Sequence, residues 1–154
     1  MPSALPDPIP DMDWQSSGCR DSVGYVVETA PDGKSVLCWL DMQPQHLNRS
    51  YLLHGWFVAM LLVVVCGYTA SLHFDPDTLT LVLTVSLSTQ YIAPARGGRV
   101  TATAKISGGG RSVCHASGEL HDSDGILIAT ATGVFKRIAK GANRVIRVGK
   151  GAYL

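Results

Sequence analysis

No two of the four cysteines stand close enough together to share a metal or redox motif. Cys19, Cys38, Cys66 and Cys114 are widely spaced, and no pair has the C-x-x-C separation. They read as free thiols of a reducing compartment, so the chain is expected in the cytoplasm. Neither sign of charge is in excess. The 13 Lys and Arg against 12 Asp and Glu leave a net +1, which gives no electrostatic case for nucleic acid. Charge of any sign is scarce, at 16% against 46% apolar residues, and that imbalance suggests surface buried against another subunit. Also missing is a basic segment followed by an apolar stretch at the N-terminus. MPSALPDPIPDMDW carries four prolines instead. It reads as an extended arm over residues 1–20, with a short helical turn near Asp13–Ser17, and not as a signal peptide.

What is present is centred on residues 46–72, HLNRSYLLHGWFVAMLLVVVCGYTASL. Polar, ligand-capable His46, Asn48 and His54 lead into an apolar run from Trp56 to Leu72. Its 17 residues lie at the bottom of the ~17–25 range for a membrane span. It has no Lys/Arg flank, and amphipathic strands follow it, so no membrane partner is expected. Val63-Val64-Val65 favours strand by propensity, but length decides for helix. A helix apolar on every face should be buried on every face. Asp75-Pro76-Asp77 stops it.

The remainder reads as strands. VGYVVETA and SVLCWLDM form a hairpin over residues 23–42, joined at Pro31-Asp32-Gly33-Lys34. After the helix, Leu79, Leu81, Leu83, Val85 and Leu87 alternate with Thr and Ser. Val100, Ala102, Ala104 and Ile106 share one face of the next strand. Cys114, Ala116, Gly118 and Leu120 make a small apolar face suited to a strand lying close under a helix. ILIATATGVFKRI is the last strand. The tail over 139–154 has four Lys/Arg and no acid and reads as mobile. The expected architecture is α+β: a hairpin, one long helix and a four-stranded antiparallel meander, giving five or six strands wrapped around the helix in a single domain over 21–138.

The residues from 23 to 137 resemble the hotdog-fold thioesterases of the phenylacetate-pathway (PaaI-like) group. That group's pattern is H-x-N-x-x-G-x-x-H-G-G, followed by an apolar helix carrying an acid seven residues later. Here it reads His46, Asn48, Tyr51, His54, Gly55, Trp56 and Val63. Supporting segments are Thr84 through Tyr91-Ile92-Ala93-Pro94-Ala95, then Gly110-Arg111-Ser112, Gly118-Glu119-Leu120-His121-Asp122, Asp124-Gly125 and Ile128 to Phe135. The resemblance implies a homodimer, often paired into a homotetramer, with active sites at the dimer interface. It implies cleavage of an acyl-CoA thioester to a carboxylic acid and CoA, with no cofactor besides the coenzyme A of the substrate. A backbone N–H at about Gly55–Trp56 would hold the thioester carbonyl. Asn48 and His54 would line and orient the site, and Thr84 of the partner would position water. CoA would lie near Arg96, Gly97, Arg111 and Ser112.

Three positions depart from that pattern. Tyr51 and Trp56 stand where the family has glycine, and Val63 stands where it has the catalytic Asp or Glu. Valine can neither accept a proton nor attack a carbonyl. A bulky Trp56 would fill the acyl pocket or re-aim the amide. Departures confined to pocket positions look like a changed, more hydrophobic pocket, whether by divergence or redesign. The substrate pocket is then His46, Tyr51, Trp56, Val63 and Cys66. His54 is the best replacement base; the alternative is a helix-start histidine bonded to backbone. His46 and Asn48 read equally as turn-forming residues. Cys66, one turn beyond Val63, reads as an inert buried thiol rather than a nucleophile. Cys114 and His115 point to opposite faces and cannot form a dyad. Asp41 reads as a solvated strand-end carboxylate, and Arg111 as a phosphate ligand or an exposed turn residue. His46, Asn48 and His54 lack the carboxylate or third histidine of a metal site. Three functions remain: a slow or altered acyl-CoA thioesterase; a non-catalytic pocket protein binding an aryl or acyl ligand at the dimer interface; and, less favoured, a hotdog dehydratase.

Overall fold

The computed structural model describes residues 18–29, 35–77 and 80–138. The proline-rich arm with its Asp13–Ser17 turn, the hairpin turn at 31–34 and the basic tail lie outside them. The chain runs through α1 (Gly18–Val23), β1 (Val26–Thr29), β2 (Val36–Asp41), a 3-10 turn (Pro44–His46), α2 (Gly55–Phe74), β3 (Val82–Tyr91), β4 (Arg99–Gly109), β5 (Val113–Asp122) and β6 (Leu127–Arg137). The six strands form one antiparallel sheet in the order β1-β2-β4-β5-β6-β3. α2 packs across it against β2 to β6.

The expected helix, hairpin and strand count are observed, but the four later strands are not a meander. β3 pairs with β6 at the far edge, while β4 inserts between β2 and β5. A strand that leaves the end of a covering helix can reach the sheet at either edge. Nothing in a local alternation pattern says which.

β3 also differs on its faces. The register slips between Thr84 and Ser86, leaving Val85 as the extra residue of a β-bulge. The slip inverts the alternation. Leu87 packs inward, whereas Leu81, Leu83 and Val85 stand 47%, 54% and 61% exposed. β4 and β5 follow the sequence pattern: Val100, Ala102, Cys114, Ala116, Gly118 and Leu120 are all buried.

Against this sheet α2 buries one stripe: Val58, Leu61, Leu62, Val65, Cys66, Thr69 and Ala70. These fall at the three- and four-residue spacing of one helix face. Met60, Val63, Val64 and Gly67 are only half-buried, so the expectation of burial on every face is not met within one chain. A single sheet covers one side of a helix, and the remaining apolar side stays open to further contact. By length and mean hydropathy (2.0) α2 could cross a membrane, but here it is the core helix of the sheet. Asp75 ends it, donating its N–H to the Ser71 carbonyl. At the other margin Arg99 clamps β2 to β4, bonding Asp41 twice, at 2.7 and 2.8 Å, and stacking 3.6 Å from the Trp39 ring centroid.

Candidate active site

The polar loop ahead of α2 is folded by Asn48. Its Oδ1 accepts the N–H groups of Ser50 (2.8 Å) and Leu52 (3.2 Å), and its carbonyl accepts that of Tyr51 (2.9 Å). Such side-chain-to-backbone bonds are what Asn supplies in turns. Tyr51 takes φ +57° there, the one positive φ at a non-glycine residue among the described residues. This explains why the resembling family places glycine at the position: it is a left-handed site. The Tyr51 ring is 79% exposed.

His46 closes the loop from beneath. It is buried, its Nδ1 accepts the Gln43 N–H at 2.9 Å, and its Nε2 lies 2.8 Å from the Val23 carbonyl. A ring that accepts at Nδ1 and faces a carbonyl at Nε2 is neutral with the proton on Nε2. Its edge meets Phe57 at 5.0 Å between centroids. Both nitrogens are spent on the scaffold.

Four N–H groups at a helix start lack intrahelical partners. His54 caps α2, and its Nδ1 accepts the Trp56 N–H at 3.2 Å. Phe57 donates to the His54 carbonyl. Gly55 N–H is left without a partner among the described residues. With Nδ1 accepting, a neutral His54 carries its proton on Nε2, so its open edge offers a donor rather than a base.

A cleft of about 280 Å³ opens at this helix start, walled by Asn48, Leu52, Leu53, Gly55, Val58, Tyr91, Ile92, Ala93, Pro94, Ala95 and Ile128. Apolar side chains dominate. Asn48 and Tyr91 are the lining residues with polar side chains, and Gly55 adds a backbone N–H that is not otherwise bonded among the described residues. Because the Asn48 oxygen already accepts two N–H groups, its NH₂ is the free end. The cleft therefore offers neutral donors set in apolar walls, with no carboxylate or imidazole among its lining residues.

Of the residues expected at the site, Asn48 and Gly55 meet in this cleft. Trp56 does not fill it: its ring is 78% exposed and stands off the walls, while its amide is turned to His54. Val63 lies two turns further along α2, about 12 Å by helical rise, half-buried against the core. Cys66 is fully buried, and desolvation pushes its thiol up to about 11, far from a thiolate at neutral pH. Thr84 sits exposed beside the β3 bulge. Arg96-Gly97 and Arg111-Ser112 lie beyond opposite ends of β4 (Arg99–Gly109), about 30 Å apart at ~3.3 Å per strand residue, so one chain does not bring them together. Asp41 is held by Arg99. Cys114 is buried and His115 exposed, on opposite faces as expected. Among the described residues no three His, Cys, Asp or Glu converge as metal ligands. In the sequence Tyr91 stands out only as part of a supporting segment. Its available signal was its place at the end of an alternating strand just ahead of Pro94.

A six-stranded antiparallel sheet laid over one long helix, with an apolar cleft at the start of that helix, defines a hotdog thioesterase fold. A family model described as "Thioesterase superfamily" matches residues 50–129. The chain belongs to that superfamily. It is 37% identical over 95 residues to the medium/long-chain acyl-CoA thioesterase YigI of Salmonella typhimurium, a match covering 54% of this chain and 61% of that protein. The Escherichia coli K12 YigI matches over the same span at 36%. The match thus spans less than two thirds of these relatives' length. Among solved structures, the E. coli PaaI protein of the phenylacetic acid degradation operon superposes with a TM-score of 0.72 at 17% identity, covering 82% of this chain and 88% of that one. The BH2602 protein of Bacillus halodurans, solved with CoA, gives 0.75 at 22% identity over 83% of each chain.

Proposed function

We propose that this chain binds acyl-CoA thioesters at the α2 cleft and hydrolyses them weakly, as a homodimer. The carrying observation is chemical: an apolar cleft at the helix start with two unspent donors, the Gly55 N–H and the Asn48 amide, and no carboxylate or imidazole in its walls. Neutral donors in apolar surroundings suit an acyl carbonyl, whose oxygen gains negative charge as water adds. In that step a C–O bond forms, the C–S bond breaks, and the proton from water leaves with the CoA thiol. Val63, at the position of the usual acid, supplies no base for the water, and this is why turnover should be slow. The YigI proteins are named for medium- and long-chain acyl-CoA, so an acyl chain of that range is the first substrate to try.

The dimer reading rests on three surfaces. β3 is an edge strand of ten residues with its outer backbone groups unpaired, Leu83 and Val85 on it and Leu81 just before it are exposed, and the outer side of α2 is apolar and half-open. Unpaired apolar edges invite a second strand. A CoA site built from both Arg96-Gly97 and Arg111-Ser112 would need a second chain, since one chain holds them at opposite ends of β4. Thr84 on that edge would then face the partner's cleft.

The same lack of a base in the cleft favours a second reading, a pocket that binds an acyl or aryl group without turning it over. One experiment separates the two: thiol release from a panel of acyl- and aryl-CoA thioesters, run beside Val63→Asp. Turnover by the chain as it stands supports the hydrolase. An inert chain whose Val63→Asp variant gains activity supports the binding pocket. Inactivity of both removes the thioester from consideration.

A further inference from the structure

We infer that Tyr91 is a positioning residue for the carbonyl-binding donor of the cleft, acting together with His54. The inference rests on the proposed thioester reading of this site and adds to it the group that holds the donor in place. The Gly55–Trp56 peptide is gripped at both ends by side chains. At one end the Tyr91 hydroxyl donates to the Gly55 carbonyl at 3.2 Å. At the other, the Trp56 N–H donates to His54 Nδ1 at 3.2 Å. The peptide before it, which carries the Gly55 N–H, is anchored too, because the His54 carbonyl accepts the Phe57 N–H at 2.9 Å. Gly55 therefore sits between two fixed points, and the peptides on both sides of it are held beside the cleft it lines.

That restraint matters because glycine is the residue least able to hold a direction by itself. Glycine nonetheless leaves room for the tyrosine ring, which a side chain at residue 55 would crowd by a few tenths of an ångström. A Cβ on residue 55 would lie 3.3 Å from Tyr91 Cε1 and 3.6 Å from its Cζ and Oη. The tyrosine ring thus occupies the side-chain space of residue 55, and its hydroxyl replaces by a hydrogen bond the stiffness that the missing side chain would have given. Tyr91 is 60% exposed and comes from the end of β3, 36 residues along the chain. The clamp ties the edge strand to the first turn of α2. Trp56 fits the same picture: its amide is committed to His54, so the donor facing the cleft is one residue earlier, at Gly55.

The test uses Tyr91→Phe, which keeps the ring against Gly55 and removes only the hydroxyl, with Tyr91→Ala removing both. Two readouts are taken on the full chain. The first is amide hydrogen exchange at Gly55, Trp56 and Phe57 in the ligand-free protein. The second is kcat and KM for decanoyl-CoA by thiol release. Tyr91→Phe is expected to speed exchange at these amides and to lower kcat by roughly tenfold, the scale of a modest misplacement of a catalytic donor. KM and Tm should stay near the parent values. A loss of Tm with kcat and KM shifted together would mark a merely structural tyrosine and overturn the inference. So would unchanged exchange at the three amides. If the parent chain releases no thiol at all, the hydrolase reading falls, and amide exchange alone decides whether Tyr91 holds the donor.

Discussion

Gly118 is the position where the packing of this fold can be tested most sharply. A Cβ there would lie 2.9 Å from Cys66 Sγ, 3.3 Å from Leu62 Cδ2 and 3.4 Å from the Thr103 carbonyl oxygen. Ordinary contact is about 3.5–4.0 Å, so Gly118→Ala drives a methyl roughly half an ångström or more into the sulfur. Cys66 is fully buried on α2, and one of its three χ1 wells is closed to it in a helix. It has little room to swing away. Overpacking of this kind costs about 1–3 kcal/mol, offset by the ~0.5–1 kcal/mol that alanine gains over glycine in a regular element. At mid-range the net expectation is a loss of about 1 kcal/mol, or roughly 2–4 °C in Tm, read as a lower urea midpoint at unchanged slope. Cys66→Ala removes the clashing atom. The double variant should therefore be more stable than the sum of the two single losses by about 1–2 kcal/mol. A neutral Gly118→Ala, or additivity of the pair within ~0.5 kcal/mol, would refute the claim that β5 is glycine here so that α2 can lie down on it.

Four further outcomes are expected. Tyr51→Gly should stabilise the chain by about 0.5–1 kcal/mol, since relief of a left-handed backbone worth ~1–2 kcal/mol exceeds the extra chain entropy of glycine; a lower denaturation midpoint would contradict this. Iodoacetamide at pH 8 should label exposed Cys19 quickly and Cys38, Cys66 and Cys114 only on unfolding. Burial raises Cys38 to about 12 and Cys66 to about 11 from 9.0, so their contribution to stability is whole below pH 9 and is lost as pH rises through those values; a flat alkaline limb in the urea midpoint would count against it. Asp41 is shifted the other way: hydrogen bonds from Arg99 hold its carboxyl below the ordinary 3.8. The pair's stabilisation is present above that value and fades as pH falls beneath it, and Arg99→Gln should flatten the acid limb measured between about pH 2 and 5.

The elements that could be read from sequence are those whose own residues dictate them. α2 is too long for a strand and ends at Asp75-Pro76, and β4 and β5 alternate cleanly. The small face of β5 even announced the close helix above it. Two features escaped because they depend on partners far along the chain. The place of β3 beside β6 is decided by how the chain returns from α2, not by its own pattern. Its bulge at Val85 reverses which leucines face inward, and one inserted residue leaves no mark in composition. Likewise α2 looked fit for burial all round because sequence cannot say how many layers will cover it.

The site divides along the same line. Residue types near the helix start were legible, since His46, Asn48, His54 and Gly55 stand out in an otherwise apolar run. Their roles were not, because a role here is what remains after the hydrogen bonds are counted. His46 spends both nitrogens on the scaffold, His54 spends Nδ1 on Trp56, and Asn48 spends its oxygen on the loop. What is left over is an N–H of Gly55 and the amide of Asn48, two neutral donors. Two histidines that looked like bases thus leave two neutral donors, which suit the carbonyl of the proposed thioester substrate. On the proposed hydrolase reading, a proton acceptor for water would come from outside this cleft, from solvent or from a second chain across the open edge of β3. Whether an acid placed at residue 63 gives turnover is therefore also a test of how that edge is covered, because Val63 is only half-buried within one chain.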